Sequence, residues 1–167
     1  PLSESVLDVR NLRVRFKAHR STVTALRDVS FTLHAGRTLA LVGESGSGKS
    51  VSSLAIMGLL PKNGSVSGGA ITYRDRSGRS ADLTTASEAD MRALRGAEIA
   101  MIFQEPMSSL NPLFTIGDQI GEMLLLHTDL DARARRQRVL DMLELVEIPA
   151  AASRIDNYPH ELSGGMR

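Results

Sequence analysis

Apolar and polar residues alternate from the first dozen positions of the chain. In VLDVRNLRVRF (6–16), Leu12, Val14 and Phe16 share one side, while Arg13, Arg15 and Lys17 share the other. A period of two marks a strand with one buried face. DVSFTLHAG (28–36) repeats the pattern and stops at Gly36. RTLALVG (37–43) differs, because Leu39, Ala40, Leu41 and Val42 are apolar in succession. Such a run predicts a strand covered on both faces. A helix is expected from Lys49 to Leu60, stopped by Pro61 and the turn-prone KNGSVSGG. Residues 70–75 predict a short strand, and 87–96 a short helix with Ser87 as N-cap and a carboxylate in its first turn. EIAMIFQ (98–104) is a second continuously apolar strand.

After Pro106 the period becomes helical. Residues 115–127 and 131–148 carry apolar stripes, the second through Val139, Met142, Leu143 and Val146. The expected organisation is a strand-rich core over 1–104, a helical subdomain over 105–162, and the start of a further helix at 163–167. No internal repeat or low-complexity linker interrupts this order.

Composition narrows the function classes. The 167 residues suffice for one domain with a sizeable core, and 42% hydrophobic with 23% charged residues is globular composition. A formal charge of +1 gives no general pull toward nucleic acid or anionic lipid. RARRQR (133–138), interleaved with Ala and Gln in a helical context, reads as a solvated face, so no nucleic-acid partner is expected. The absence of cysteine excludes disulfides and thiolate metal sites, and His19, His34, His127 and His160 show no metal-ligand spacing. No apolar run approaches the roughly 20 residues that span a bilayer. The N-terminus, which starts at Pro1 without Met, has no signal-peptide pattern.

The chemistry concentrates between the first apolar run and the first helix. Gly43 to Ser50 spells G-x-x-x-x-G-K-S, the phosphate-binding loop pattern. A polyphosphate needs several donors converging on a small volume, and main-chain N–H groups supply them most densely. They converge only in conformations that Cβ atoms disfavour, hence Gly43, Gly46 and Gly48. The next helix offers free N–H groups and its positive dipole end to the same anion. Lys49 supplies a charge for the terminal phosphates, and the Ser50 hydroxyl can ligate Mg2+.

At the other end, LSGGM (162–166) resembles the signature motif of the ATP-binding cassette (ABC) family. FQEPMSSLNP (103–112) and YPHELSGGMR (158–167) resemble the ATPase subunits of its oligopeptide, dipeptide, glutathione and nickel importer group. The resemblance implies an α/β fold, a P-loop NTPase core with an N-terminal antiparallel β part and an inserted all-α helical subdomain. It assigns Gly43, Glu44, Ser45, Gly46, Ser47, Gly48, Lys49, Ser50 and Val51 to ATP and Mg2+. Gln104 matches the glutamine that in the family touches Mg2+ and the attacking water, so Gln104 and Lys49 carry the catalytic expectation, and Ser50 and Gln104 the metal. Ser163, Gly164 and Gly165 match residues that bind the γ-phosphate held by the opposite subunit. Phe16 falls where the family stacks an aromatic on adenine, although it also shares a face with core residues. AMIFQE admits a second reading as a Walker B strand, but Gln104 then stands where a carboxylate is needed.

The implied partners are a second ATPase subunit, identical or not, transmembrane permease subunits and, indirectly, a periplasmic or extracellular solute-binding protein. The implied location is peripheral, on the cytoplasmic face of the plasma membrane. The family's Walker B strand, catalytic glutamate, D-loop and switch histidine do not occur in these letters, so the expected chain is truncated before Walker B and incompetent for hydrolysis alone. A cassette acting on DNA or ribosomes is the alternative reading.

Overall fold

The computed structural model describes residues 4–103 and 109–166. They divide into two compact units, 1–99 and 100–167.

The first unit is built on one antiparallel sheet of order β2-β1-β3-β4, comprising β1 (Ser5–Lys17), β2 (Thr22–His34), β3 (Gly64–Arg74) and β4 (Ser80–Asp82). The alternation in β1 is realised: Leu12 and Val14 are fully buried, while Arg13 and Arg15 are exposed. Val9 is buried as well, although it lies three positions before Leu12, an odd offset that would place it on the opposite face of a regular strand. A bulge at Asn11 (φ 49°) shifts the register against both neighbours and returns Leu12 to the inner face. Gly69, at φ 87°, lies opposite: a Cβ there would strike the carbonyl oxygens of Asn11 and Arg10. Two helices, α1 (Lys49–Ile56) and α2 (Glu88–Leu94), complete this unit. Val9, Leu12, Val14, Leu26, Ala55, Ile71, Leu83 and Met91 form its core.

Several expectations are corrected here. The turn-prone KNGSVSGG supplies the first half of β3, because ladder bonds to β1 outweigh the local preference of its glycines. β2 begins at Thr22 rather than at 28. Helix α1 ends at Ile56, before Pro61. Gly58 takes φ 62°, its N–H donates to Ala55 O, and the N–H of Leu59 donates to Leu54 O, closing the helix in a Schellman motif.

Residues 37–44 form no strand, and Leu39, Leu41 and Val42 are 42%, 41% and 90% exposed. Residues 100–103 are also irregular, Ile99 makes only one bridge, to Arg95, and Ile102 is 93% exposed. A continuously apolar strand needs ladder partners and two covering faces, and the described residues supply neither to these stretches.

In the second unit, α3 (Ile116–His127) and α4 (Ala132–Leu145) start at Thr115 and Asp131, whose side chains accept from the N–H groups of Asp118 and Ala134. A short α5 (Ala151–Arg154) and two 3-10 turns follow. Ile116, Val139, Leu143, Ala151, Ile155 and Leu162 form the core. Only half of the stripe expected on α4 is buried: Val139 and Leu143 face inward, while Met142 and Val146 are exposed. No described helix is long and apolar enough to cross a membrane.

Candidate functional site

The loop between residues 43 and 48 is built by close approach as much as by flexibility. Gly46 and Gly48 have φ of 82° and 93°, the left-handed region that side chains disfavour. Gly48 also abuts β2, where a Cβ would collide with Leu26 Cδ2. Gly43 does not adopt positive φ. Its lack of a Cβ admits Ser47, whose Oγ would otherwise lie 2.7 Å from that atom. The loop therefore needs its three glycines for two different reasons.

Gly48 is the N-cap of α1 and brings no side-chain cap, and the helix has no acidic residue in its first turn. Its leading N–H groups and dipole are thus free of side-chain carboxylates and suited to an anion. Lys49 is half-buried, and its Nζ is drawn onto the loop itself. It donates to Gly43 O at 2.6 Å, Glu44 O at 2.7 Å and Ser47 Oγ at 3.2 Å. Ser50 is exposed at the same end. The structure therefore brings Gly43, Glu44 and Ser47 together around the Lys49 ammonium. Among the described residues no cluster of three or more His, Cys, Asp or Glu could hold a metal. A hard dication at this loop would accordingly depend on phosphate oxygens and the Ser50 hydroxyl.

Phe16 is half-buried at the end of β1, packed against the core and paired with Gly64, where a Cβ would lie 2.7 Å from its ring. It stands two residues beyond Val14, whose β2 partner is the Leu26 that supports Gly48. The ring thus lies on the strand whose neighbour, through Leu26, touches Gly48. Gln104 lies outside the described residues.

Ser163, Gly164 and Gly165 are exposed, directly after the buried Leu162. Instead of a regular helix, Gly164–Met166 form a single 3-10 turn with Met166 N–H donating to Ser163 O at 3.0 Å. The preceding segment is braced: the N–H of Tyr158 donates to Glu161 Oε2 at 2.7 Å, and the Tyr158 and His160 rings stack 5.7 Å apart.

One side chain near α1 carries no motif in the sequence. Arg95, at the end of α2, donates through Nε to Met57 O (2.8 Å), through Nη2 to Gly58 O (3.1 Å), and through Nη1 to Glu88 Oε1 (2.8 Å). Its two carbonyl partners lie 38 and 37 residues away along the chain, so no local pattern could have marked that grip.

A profile of the family described as "ABC transporter" matches residues 26–167. A dipeptide transport ATP-binding protein of Bacillus subtilis is 51% identical over 165 residues, covering 98% of this chain and 48% of that protein. A glutathione import ATP-binding protein of Pectobacterium atrosepticum is 52% identical over 163 residues, covering 97% of this chain and 26% of that protein. The chain thus spans about half or less of the length of these relatives. A dimeric ATP-binding cassette, solved in a post-hydrolysis state bound to ADP and Pi, matches with a TM-score of 0.78 at 22% identity, covering 96% of this chain and 64% of that one. At that identity the likeness is one of fold.

Proposed function

The chain belongs to the ABC transporter family, and from this premise we propose that it is the ATP-binding part of an importer subunit that powers uptake of a peptide-like solute. The observation that carries the reading is the loop of Gly43 to Ser50, with two left-handed glycines leading into an uncapped helix that begins at the loop lysine. The names of the relatives above supply the solute class.

In this reading the N–H groups of residues 44–51 receive the phosphates, and Lys49 exchanges the carbonyls of Gly43 and Glu44 for phosphate oxygens. Ser50 and Gln104 hold Mg2+, which would neutralise charge on the phosphates when bound. Phe16 stacks on the adenine. Ser163, Gly164 and Gly165 contact the γ-phosphate bound by a second subunit, so that two nucleotides close a two-fold dimer. Loss of the γ-phosphate removes that contact and opens the dimer. Residues 1–104 act as the binding core, 105–162 as the helical subdomain, and 163–167 as the start of the signature helix. Permease subunits receive the motion at the cytoplasmic face of the membrane, and a solute-binding protein delivers the cargo from the far side. The irregular runs 37–43 and 100–103 become strands when the rest of a longer protein lies beside them.

Lys49→Ala tests the site. Losing charge-assisted bonds to phosphate weakens Mg·ATP binding by roughly 10- to 100-fold, measured by calorimetric titration of the full-length protein, and abolishes its ATPase activity. Unchanged affinity and turnover would overturn the assignment.

A further inference from the structure

At the end of α1 remote from the phosphate loop, where Met57 is buried and Ile56 and Leu60 pack against the core, a single guanidinium captures the last free carbonyls. The Schellman closure uses the carbonyls of Leu54 and Ala55, and the N–H of Met57 uses that of Ser53. The carbonyls of Met57 and Gly58 accept from Arg95 instead, and Glu88 holds the third edge of the same planar group. The Arg95 side chain is only 19% exposed. Room for it exists because residue 58 is glycine: a Cβ there would lie 3.0 Å from Arg95 Nη2 and 3.2 Å from Met91 Cε. Glu88 in turn is fixed in the first turn of α2, where Ser87 and Asp90 form a reciprocal capping box.

We propose that Arg95 is a positioning residue for the phosphate loop, setting the orientation of α1 from its C-terminal end so that the loop and Lys49 meet the nucleotide's phosphates. The proposal rests on the ATP-binding reading given above. An eight-residue helix is about 12 Å long, so a tilt of about 5° at one end moves the other by about 1 Å. Within α1 Ser52 and Ala55 are buried and Val51 and Ile56 pack partly against the core, so the clamp acts together with that packing to fix the orientation of the helix. Hydrogen bonds lengthened by that much are largely lost, so a site built on aligned donors binds the phosphates more weakly. Arginine suits the task because its rigid fork meets two carbonyls and a carboxylate at once, whereas lysine offers one compact charge.

The test uses the full-length protein and compares Arg95→Lys, Arg95→Ala and Glu88→Gln with the wild type and with Lys49→Ala. We expect Arg95→Lys and Arg95→Ala to raise KM for Mg·ATP by about 5- to 20-fold with kcat within about 2-fold, as a loop displaced by a fraction of an ångström requires. Glu88→Gln, which leaves the carbonyl contacts in place, gives about a 2- to 3-fold rise by the same reasoning. Circular dichroism melts establish that each variant is folded at the assay temperature. A purely structural Arg95 would lower the melting temperature and leave KM of the folded protein unchanged, which would overturn the proposal. If Arg95→Ala fails to fold, Arg95→Lys and Glu88→Gln decide: wild-type KM in both refutes it. Wild-type Mg·ATP binding that is lost in Lys49→Ala but indifferent to position 95 refutes this inference alone. A wild type that does not bind Mg·ATP refutes the site reading together with it.

Discussion

Lys49 shows how much of a site one side chain organises. Its ammonium gathers Gly43 O, Glu44 O and Ser47 Oγ, so the loop is closed around a cation held by neutral oxygens. Under the proposed function, phosphate oxygens are stronger partners for that charge, and the exchange opens the loop toward the nucleotide. The motif made Lys49 and the glycines legible in the sequence. The contact of Gly48 with Leu26 was not legible, because it joins residues that only the fold brings together. Another residue reports on the same unit through its proton. Tyr73 donates to Glu98 Oε2 at 2.8 Å, and burial first, then that bond, push its pKa from 10.0 up to about 12. The folded protein therefore holds this proton more tightly than the unfolded chain. The resulting stability is full below about pH 10 and is lost as pH rises through about 12. Ultraviolet titration should show a phenolate phase near pH 12 that Tyr73→Phe removes. A titration of that tyrosine at its ordinary value would break the link to Glu98.

Among the elements, glycines on one helix separate packing from propensity. A Cβ on Gly117 of α3 would lie 2.7 Å from both Cγ1 and O of Ile155, and the Gly117 N–H already donates to that oxygen at 2.7 Å. One turn later, a Cβ on Gly121 would make an ordinary 3.8 Å contact with Val139 Cγ2. Gly117→Ala should therefore destabilise the helical unit by about 1–3 kcal/mol through overpacking. Gly121→Ala should be neutral or stabilise it by up to about 1 kcal/mol, since alanine is the better helix former. Urea denaturation followed by circular dichroism distinguishes them, and equal effects would show that the close approach at Ile155 is absent. The caps Ser87, Thr115 and Asp131 fix where the helices start, and of the three only Ser87 is predicted from the sequence. At its far end α1 stops at the Gly58 turn, whereas Pro61 predicts a boundary at Leu60.

For the whole molecule, the exposed apolar runs matter most. Val42 is 90% exposed in a stretch whose composition is that of a buried strand. Exposed runs of this kind are aggregation-prone edges unless something covers them. Val42→Asp should change the stability of this 167-residue chain by no more than about 0.5 kcal/mol, as at an ordinary surface position. In a longer protein where the strand is paired and covered, the same change should cost about 3 kcal/mol or more, because a carboxylate would be buried. Parallel melts of the two proteins check this, and equal costs would remove the proposed covering. The amino-acid sequence by itself determined what depends on near neighbours: the alternation in β1, the capped α2, the helical periods of α3 and α4, and the glycine-rich loop with its lysine. Tertiary structure alone decided the bulge that turns Leu12 inward, the ladder that makes a strand of a glycine-rich turn, and the grip of Arg95 on α1. The reason is physical: periodicity and backbone preference act over a few residues, whereas ladder pairing and carbonyl capture depend on which distant segments meet.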